Sequence, residues 1–303
     1  MKDLFIRSQR NPVITPDQIP YPCQSVFNPG ACRFQDQYLL VLRVEDLEGV
    51  SHFTLARSKN GEDFAVDPQP WVLPSKDPAY EPYERFGIED PRITRIGETY
   101  YITFTAYGPL GPRGGLACTR DFVEFRRLGF PTETDNKDLV LFPEKMGDRF
   151  VLLDRPGGFM APYGSIWVTF SPDLVHWGRA EVVLSPRPGW APYKLGAGPP
   201  PIKTTKGWLL LYHGVRTTES GKLYRVGVAL LDLDNPARVI GTSRGHVFEP
   251  KTPYERHGDV PNVVFPTGLV AELDGTLLIY YGAADTCIGL ARVSLADLIE
   301  TCQ

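Results

Sequence analysis

The chain has 303 residues, 42% of them hydrophobic, which is enough to bury a sizeable core in one large domain. Its formal net charge of −4 comes from interspersed acidic and basic residues, which argues against a basic face for nucleic acid or a polybasic run for a membrane surface. No apolar stretch is long enough for a membrane span or a signal peptide, so we expect a cytoplasmic protein.

The cysteines are scattered and form no CxxC pair: Cys23, Cys32, Cys118, Cys287 and Cys302. An odd number at such spacings argues against a disulfide framework and against a structural zinc site. We therefore expect reduced thiols and no metal, and we expect that any homo-oligomer forms without disulfides.

A hairpin pattern recurs five times along the chain. Its central strands are predicted in short apolar runs that begin at Tyr38, Tyr100, Arg149, Trp208 and Thr276. Each run follows an earlier strand and a tight turn, and glycine is present in four of the five turns. A third strand follows each run, in HFTLARS, GLACTR, SIWVTFS, RVGVALLDL and IGLARVSL.

Five such antiparallel units predict an all-β fold, a five-bladed β-propeller that occupies residues 1–303 as a single catalytic domain. Helical periodicity is confined to the last few residues. In this architecture the segments 1–25 and 293–303 close or flank the propeller. A pair of β-sandwiches is the alternative, but a sandwich has no reason to repeat the same hairpin at blade-like spacing.

Polar residues occur where a propeller brings strand ends together on one face. First strands begin at Asn28, 89–92, 136–138 and Gly198, and second strands end at 43–46, 154–155, His213 and Asp285. Because these strand ends open onto the same face of a propeller, we expect them to form one pocket.

Asp90 precedes a proline, and in isolation its carboxylate would be interpreted as a cap for backbone amides in a turn. The basic residues Arg43, Lys137, Arg155 and His213 lie at strand ends of other repeats and favour a different interpretation. An acid that faces several bases can protonate a leaving oxygen while the bases hold phosphate for attack on an anomeric carbon. For Arg92 and Lys145, a solvated side chain or a simple ion pair remains the preferred interpretation.

Several motifs, taken in chain order, resemble one known family: LVLRVEDLEGVSHFTLARSKNGEDF, GIEDPRIT, NKDLVLFPEK, LLDRP, LLLYHGV, YRVGVALLDL and IYYGAADTCIGLA. From about Asn28 to Ala291 the chain resembles glycoside hydrolase family 130, the β-mannoside phosphorylases. The resemblance implies a five-bladed propeller and inverting phosphorolysis of β-1,2- or β-1,4-linked manno-oligosaccharides, with release of α-D-mannose 1-phosphate. Inorganic phosphate would be a co-substrate, and no metal or organic cofactor is implied.

The resemblance also implies roles for individual residues. Asp90 matches the general acid, which acts through the 3-hydroxyl of the bound mannose. Phosphate binding is implied for Arg155, His213, Tyr224 and Lys137, and mannose binding for Asn28, Arg43, Asp46 and Asp285.

Two alternative functions stay open. A phosphate-independent β-mannosidase would need a second carboxylate opposite Asp90, and Glu255 or Asp259 is a candidate. A non-catalytic sugar-binding propeller would use aromatic rims and would not need Arg155 and His213 together. Acceptor specificity is expected in the loops 109–113, 157–163 and 188–193, and the sequence leaves open the linkage, the leaving sugar and the preferred length of the oligosaccharide. The oligomeric state is also left open.

Overall fold

The computed structural model describes residues 4–157 and 164–302, and within them the regular secondary structure is almost wholly antiparallel strands. The strands are β1 Ile6–Arg7, β2 Ser25–Phe34, β3 Gln37–Glu45, β4 Ser51–Ser58, β5 Ala65–Val66, β6 Gly87–Ile96, β7 Thr99–Gly108, β8 Gly111–Thr119, β9 Arg126–Gly129, β10 Asn136–Leu141, β11 Phe150–Pro156, β12 Ile166–Ser171, β13 Gly178–Leu184, β14 Lys194–Ala197, β15 Ile202–Thr204, β16 Gly207–Thr218, β17 Gly221–Leu231, β18 Val239–Thr242, β19 Val264–Ala271, β20 Thr276–Ala283 and β21 Cys287–Ser294. The α-helices are α1 Glu81–Glu84, α2 Pro253–Arg256 and α3 Leu295–Thr301, and a 3-10 turn covers Pro16–Gln18.

The all-β prediction is confirmed. The five predicted central strands are β3, β7, β11, β16 and β20, and each pairs with an antiparallel neighbour on both sides. The expected turn glycines adopt positive φ, for example +60° at Gly97 and +61° at Gly147. The five cysteines are free thiols, as expected.

Within the described ranges the strands form four hydrogen-bonded sheets. Their orders are β2-β3-β4-β6-β7-β8-β9 with β5 on β4, β10-β11-β12-β13, β14-β16-β17-β18 with β15 on β16, and β1-β21-β20-β19. The largest sheet consists of two antiparallel halves that meet only at the parallel pair Ser51 and Gly87. The chain therefore folds into five successive antiparallel groups of strands.

Hydrophobic cores lie between consecutive groups, because alternate residues of each central strand face opposite sides. In β3, for example, Leu39 and Val41 pack with Ile102 of the second group, whereas Leu40 and Leu42 pack with the β20 strand of the last group. Three further cores join the second group to the third, the third to the fourth and the fourth to the fifth. The last group thus packs against the first.

The N-terminal strand β1 completes the sheet that the C-terminal strands form. Ile6 and Arg7 pair with Arg292 and Ala291 of β21. The Arg7 guanidinium donates to both oxygens of the fully buried Glu255 at 2.7 and 2.9 Å and to the carbonyl of Glu249. No helix in the described part of the chain is long and apolar enough to cross a membrane.

Candidate active site

Three of the first strands are interrupted at equivalent places by an Asn or Asp residue in the left-handed backbone region. The φ angles are +44° at Asn28, +52° at Asp90 and +60° at Asp138. The pairing register of β2, β6 and β10 shifts at these residues, as in a β-bulge. Asn and Asp tolerate this conformation better than other residues with a side chain, and the bulge turns their side chains out of the strand.

Asp90 is buried within hydrogen-bonding distance of an amide and a guanidinium. Its Oδ1 accepts hydrogen bonds from Asn28 Nδ2 at 2.8 Å and from Arg43 Nη1 at 2.8 Å. Arg43 also pairs with Glu89 at 3.3 Å, and Lys137 Nζ pairs with the other oxygen of Glu89 at 2.9 Å. We call these five residues the Asp90 cluster. The structure thus brings together four of the residues predicted for the site and adds Glu89.

Burial by itself would raise the pKa of Asp90, but the positive charges of Arg43, Arg92 and Lys137 and the bond from Asn28 outweigh it and lower the pKa. The free protein therefore carries Asp90 as a carboxylate at neutral pH. A general acid at this position must gain its proton when ligands change the surrounding charge.

A second buried carboxylate, Asp138, holds several bases on the other side of the site. Arg155 Nε donates to its Oδ2 at 2.6 Å, Arg92 Nη2 donates to its Oδ1 at 3.2 Å, and His213 Nε2 lies 3.5 Å from its Oδ2. Burial opposes ionisation of Asp138, but the positive charges of Arg155 and Arg92 and the hydrogen bond from Arg155 lower its pKa. We call these residues and the adjacent Lys194 and Tyr224 the Asp138 cluster.

Arg92 connects the two clusters, and this role was not predicted. Its side chain is completely buried, and it donates to the backbone carbonyl of Asp90, to Asp138 and to the carbonyls of Ala197 and Gly198. Of the two interpretations preferred for Arg92 from the sequence, the solvated side chain is wrong, whereas an ion pair is present, with Asp138 at 3.2 Å. The Arg92 guanidinium thus joins the backbone at Asp90 to the carboxylate of Asp138.

His213 is a neutral imidazole in the free protein. Burial lowers its pKa to about 3 even though Asp138 opposes the shift. Its ring packs at 4.4 Å from the Phe265 ring, and Nδ1 has no hydrogen-bond partner among the described residues. Tyr224 lies on the neighbouring strand with its ring 6.0 Å from that of His213, and burial raises the pKa of its phenol to about 12. Both side chains therefore offer neutral groups to a ligand.

Lys194 is a site residue that the sequence reasoning missed. Its Nζ lies 5.6 Å from the Tyr224 ring, and burial, together with the charge of Arg155, lowers the pKa of the lysine to about 8. Two residues further along β14 is Gly196, where a Cβ atom would collide with the side chains of Asp138 and His213. Lysine and glycine in this short strand leave room for the cluster and add a positive charge beside it.

Asp285 and Asp46, both predicted to bind mannose, occupy different surroundings. Asp285 lies in the β20–β21 turn, where burial and the negative charges of Asp90 and Glu89 outweigh Arg43 and raise its pKa to about 7. Asp46 uses its Oδ1 to accept from the backbone amides of Glu48 and Val50 in the turn after β3. The structure places Asp285 beside the Asp90 cluster, whereas it gives Asp46 a role in its own turn.

The two candidates for a second carboxylate lie outside both clusters. Glu255 pairs with Arg7 and accepts from Tyr281 and from the amides of Lys251 and Thr252, so the suggestion that it activates water is wrong. Asp259 lies in an exposed segment. The described residues contain no group of three His, Cys, Asp or Glu side chains that could hold a metal.

Of the three loops expected to set acceptor specificity, 157–163 lies outside the described residues except for Gly157. In the loop 109–113, Arg113 stacks on the rings of Tyr83 and Phe130 and donates to the carbonyl of Thr132. Its guanidinium is therefore committed to local packing.

Comparison with protein families gives one match over residues 5–303, to a family described as beta-1,4-mannooligosaccharide phosphorylase. Among characterised relatives, the beta-1,2-mannobiose phosphorylase of Listeria innocua serovar 6a is 37% identical over 274 residues, covering 88% of this chain and 74% of the relative. The beta-1,4-mannooligosaccharide phosphorylase of Ruminococcus albus is 33% identical over 306 residues, covering 99% and 91%. The two relatives act on different linkages.

A solved structure shows the same fold. The beta-1,2-mannobiose phosphorylase of Listeria innocua, determined in complex with beta-1,2-mannobiose, superposes with a TM-score of 0.91. The two sequences are 31% identical, and the match covers 99% of each chain.

Proposed function

Because the chain belongs to glycoside hydrolase family 130 and is an enzyme of its mannoside phosphorylase class, we propose that it cleaves β-mannosides by inverting phosphorolysis. Its substrates are β-1,2- or β-1,4-linked manno-oligosaccharides and inorganic phosphate, and its product is α-D-mannose 1-phosphate. Asp90 serves as the general acid, and Arg155, His213 and Tyr224 hold phosphate. No metal or organic cofactor takes part.

The observation that carries this proposal is the division of the site into two clusters joined by Arg92. An inverting displacement needs the proton donor and the nucleophile on opposite faces of the sugar. The Asp90 cluster supplies the carboxyl group, and Asn28, Arg43 and Asp285 surround it with groups that can bind hydroxyls. The Asp138 cluster supplies cations and neutral donors on the other side.

Arg155 is suited to hold an anion because Asp138 positions only one of its side-chain nitrogens. Nε donates to Asp138, while Nη1 and Nη2 form no hydrogen bond with any residue in the described ranges. These two nitrogens can grip two phosphate oxygens in a planar fork. Lys194 adds a charge, and Tyr224 adds a hydroxyl donor. Lys137, which was predicted for this set, pairs with Glu89 in the Asp90 cluster.

Phosphate also provides a route for protonating Asp90. The cations that lower the pKa of Asp90 include Arg92, which extends into the Asp138 cluster. A phosphate anion bound there offsets this positive charge and raises the pKa of Asp90. The mannoside displaces water from the carboxyl group and acts in the same direction. Both substrates thus promote the acid form that protonation of the leaving oxygen requires.

The hydrolase alternative is less well supported by the carboxylates. Asp138 has a lowered pKa and three basic partners, which make it a poor base for activating water. The sugar-binding alternative does not account for a buried Asp138 cluster that gathers charged side chains from β6, β10, β11 and β14.

We further propose that the five groups of strands are blades of a propeller that forms one domain over 1–303. First strands of different groups contact each other near a common axis. Thr267 donates to the carbonyl of Pro29, and a Cβ atom added at Gly30 would meet the carbonyl of Pro91. The cyclic arrangement of the cores agrees with closure of such a ring. The free thiols suit the cytoplasm, where we place the enzyme.

The test is incubation of the purified protein with β-1,2-mannobiose and β-1,4-mannobiose, with and without phosphate. Mannose 1-phosphate should form only with phosphate present, and the faster substrate identifies the linkage. Release of free mannose at the same rate without phosphate would instead identify a hydrolase.

A further inference from the structure

Two aromatic side chains stand exposed beside the Asp90 cluster. Phe86 precedes β6 and is 45% exposed, and Tyr107 near the end of β7 is 40% exposed. Their rings contact edge to face with centroids 5.8 Å apart. Other aromatic rings of this strand group, such as Tyr100 and Phe104, are buried in the core. Phe86 and Tyr107 therefore form an exposed apolar surface that is not part of the hydrophobic core.

The position of this aromatic pair relative to Asp90 follows from the strand register. Thr105 pairs with Glu89, the neighbour of Asp90, and Tyr107 pairs with Gly87 two residues further out. Two residues of an antiparallel strand span roughly 7 Å, so the aromatic pair lies next to the Asp90 cluster along the strand. Lys137 links the two places, because its Nζ lies 2.9 Å from Glu89 Oε2 and 5.6 Å from the Tyr107 ring.

We propose that Phe86 and Tyr107 form the binding surface for the leaving sugar, a neutral hexopyranose with an apolar face. This inference rests on the proposed phosphorolysis. Inversion places the leaving group on the side of the sugar opposite phosphate, which is the side of the Asp90 cluster. The aromatic pair is the exposed apolar surface that continues from this cluster, and aromatic rings stack on the C–H faces of pyranoses.

The basic residues near the aromatic pair indicate which sugars it can bind. Arg113 is occupied by its own stacking contacts, so it does not provide a free cation for an anionic sugar. Lys137 is paired with Glu89. Stacking on a ring face reads the shape of the sugar more than its individual hydroxyls, and we therefore expect tolerance of several neutral hexoses in this position.

The first arm of the test is synthesis from mannose 1-phosphate and an acceptor sugar, with mannose, glucose and N-acetylglucosamine compared. Tyr107→Ala and Phe86→Ala should each raise the KM for the acceptor roughly three- to tenfold and leave the KM for mannose 1-phosphate unchanged. Tyr107→Phe should retain the wild-type acceptor KM. The matched control is Tyr101→Ala, which removes a tyrosine from the same strand roughly 20 Å away. Equal effects on both constants, or the same effect in the control, would overturn the inference.

The second arm measures binding without turnover and so separates this inference from the proposed function. Saturation-transfer NMR of β-1,2- and β-1,4-mannobiose with the Asp90→Asn protein should show contacts to both sugar rings. Adding Tyr107→Ala should remove the signals of the reducing-end ring and keep those of the other ring. If the wild type proves not to be a phosphorylase, this result still assigns the aromatic pair to sugar binding. Unchanged signals from the reducing-end ring would refute it in either case.

Discussion

Replacement of Arg155 by alanine tests the phosphate site most directly. The side chain is mostly buried, its Nε is fixed by Asp138 at 2.6 Å, and its terminal nitrogens are the groups we assign to phosphate. Truncation leaves Asp138 paired with the Arg92 guanidinium at 3.2 Å, so the remaining carboxylate keeps a cationic partner. The change therefore removes a phosphate ligand without stranding a buried charge.

The size of the effect follows from the hydrogen bonds to phosphate that the truncation removes. A hydrogen bond to a charged group contributes about 1.5–3 kcal/mol, which corresponds to roughly ten- to a hundredfold in binding. The KM for phosphate should rise by that factor, and the KM for the mannoside should stay near its wild-type value. Arg155→Lys should fall between the two proteins, because lysine restores the charge but not the planar fork.

The assay is steady-state phosphorolysis with phosphate and mannobiose varied independently, followed by synthesis with mannose 1-phosphate varied. The same variants should lose affinity for mannose 1-phosphate, since its phosphoryl group occupies the same place. Arg57→Ala is the control, because Arg57 also forms a short ion pair with an aspartate, the more exposed Asp67, away from both clusters.

Two results would refute this reasoning. An equal rise in the KM for phosphate and for the mannoside would mean that Arg155 supports the shape of the whole pocket. A variant with unchanged phosphate dependence would mean that the anion binds elsewhere.

Three further predictions concern ionisable groups. The Asp90→Asn protein should keep the circular dichroism spectrum of the wild type. Its rates of phosphorolysis and of synthesis should both fall at least ~100-fold, because an amide cannot supply the proton. Near-normal turnover would exclude Asp90 as the acid. The pKa of Asp285 in the folded protein is about 7, above its unfolded value, because the folded state favours the neutral carboxyl group. The folded protein is therefore most stable towards Asp285 ionisation at low pH, and it loses this stability as the pH rises from about 4 through 7. At pH 8 the Asp285→Asn protein should consequently unfold at a higher urea concentration than the wild type, with a free energy of unfolding that is larger by up to about 4 kcal/mol. This gain in stability should shrink towards pH 4. Equal urea-unfolding curves at pH 8 would contradict the prediction. Lys194 has a pKa of about 8 and loses its charge as the pH rises, so the KM of the wild type for phosphate should increase above pH 8. In the Lys194→Arg protein this increase should be smaller, because arginine keeps its charge. Parallel plots of KM against pH for the two proteins would show that Lys194 does not bind phosphate.

The sequence was sufficient to predict the strands and many of the site residues, because both leave local signals. Central strands such as β3 and β20 are continuous apolar runs bounded by turns, and Asp90 stands out before a proline among charged neighbours. The ring of polar strand ends followed from applying one repeat five times. In the structure Arg155 and His213 meet around Asp138, whereas Arg43 lies beside Asp90.

The remaining parts of the site depend on contacts between distant segments. Arg92 donates to carbonyls more than a hundred residues away, and no local pattern distinguishes it from a surface arginine. Asp138 had a weak signal, since it occupies in β10 the place that Asp90 occupies in β6. Lys194 had almost none, because its lowered pKa arises from burial among charges of other strands. Glu255 looked available in the sequence only because its partner Arg7 lies at the other end of the chain.

The left-handed backbone at Asn28, Asp90 and Asp138 restricts which amino acids can serve there. A longer acidic residue such as glutamate would carry a cost of roughly 1–2 kcal/mol in that conformation, before any displacement of its carboxylate is considered. Asparagine and aspartate share both the shape and the tolerance for this backbone. A protein of this all-β fold that already holds asparagine at such a place therefore needs a single amide-to-acid exchange to acquire a proton donor, with no rebuilding of the chain around it. The left-handed backbone conformation thereby limits the functional groups that substitutions can introduce at these three positions.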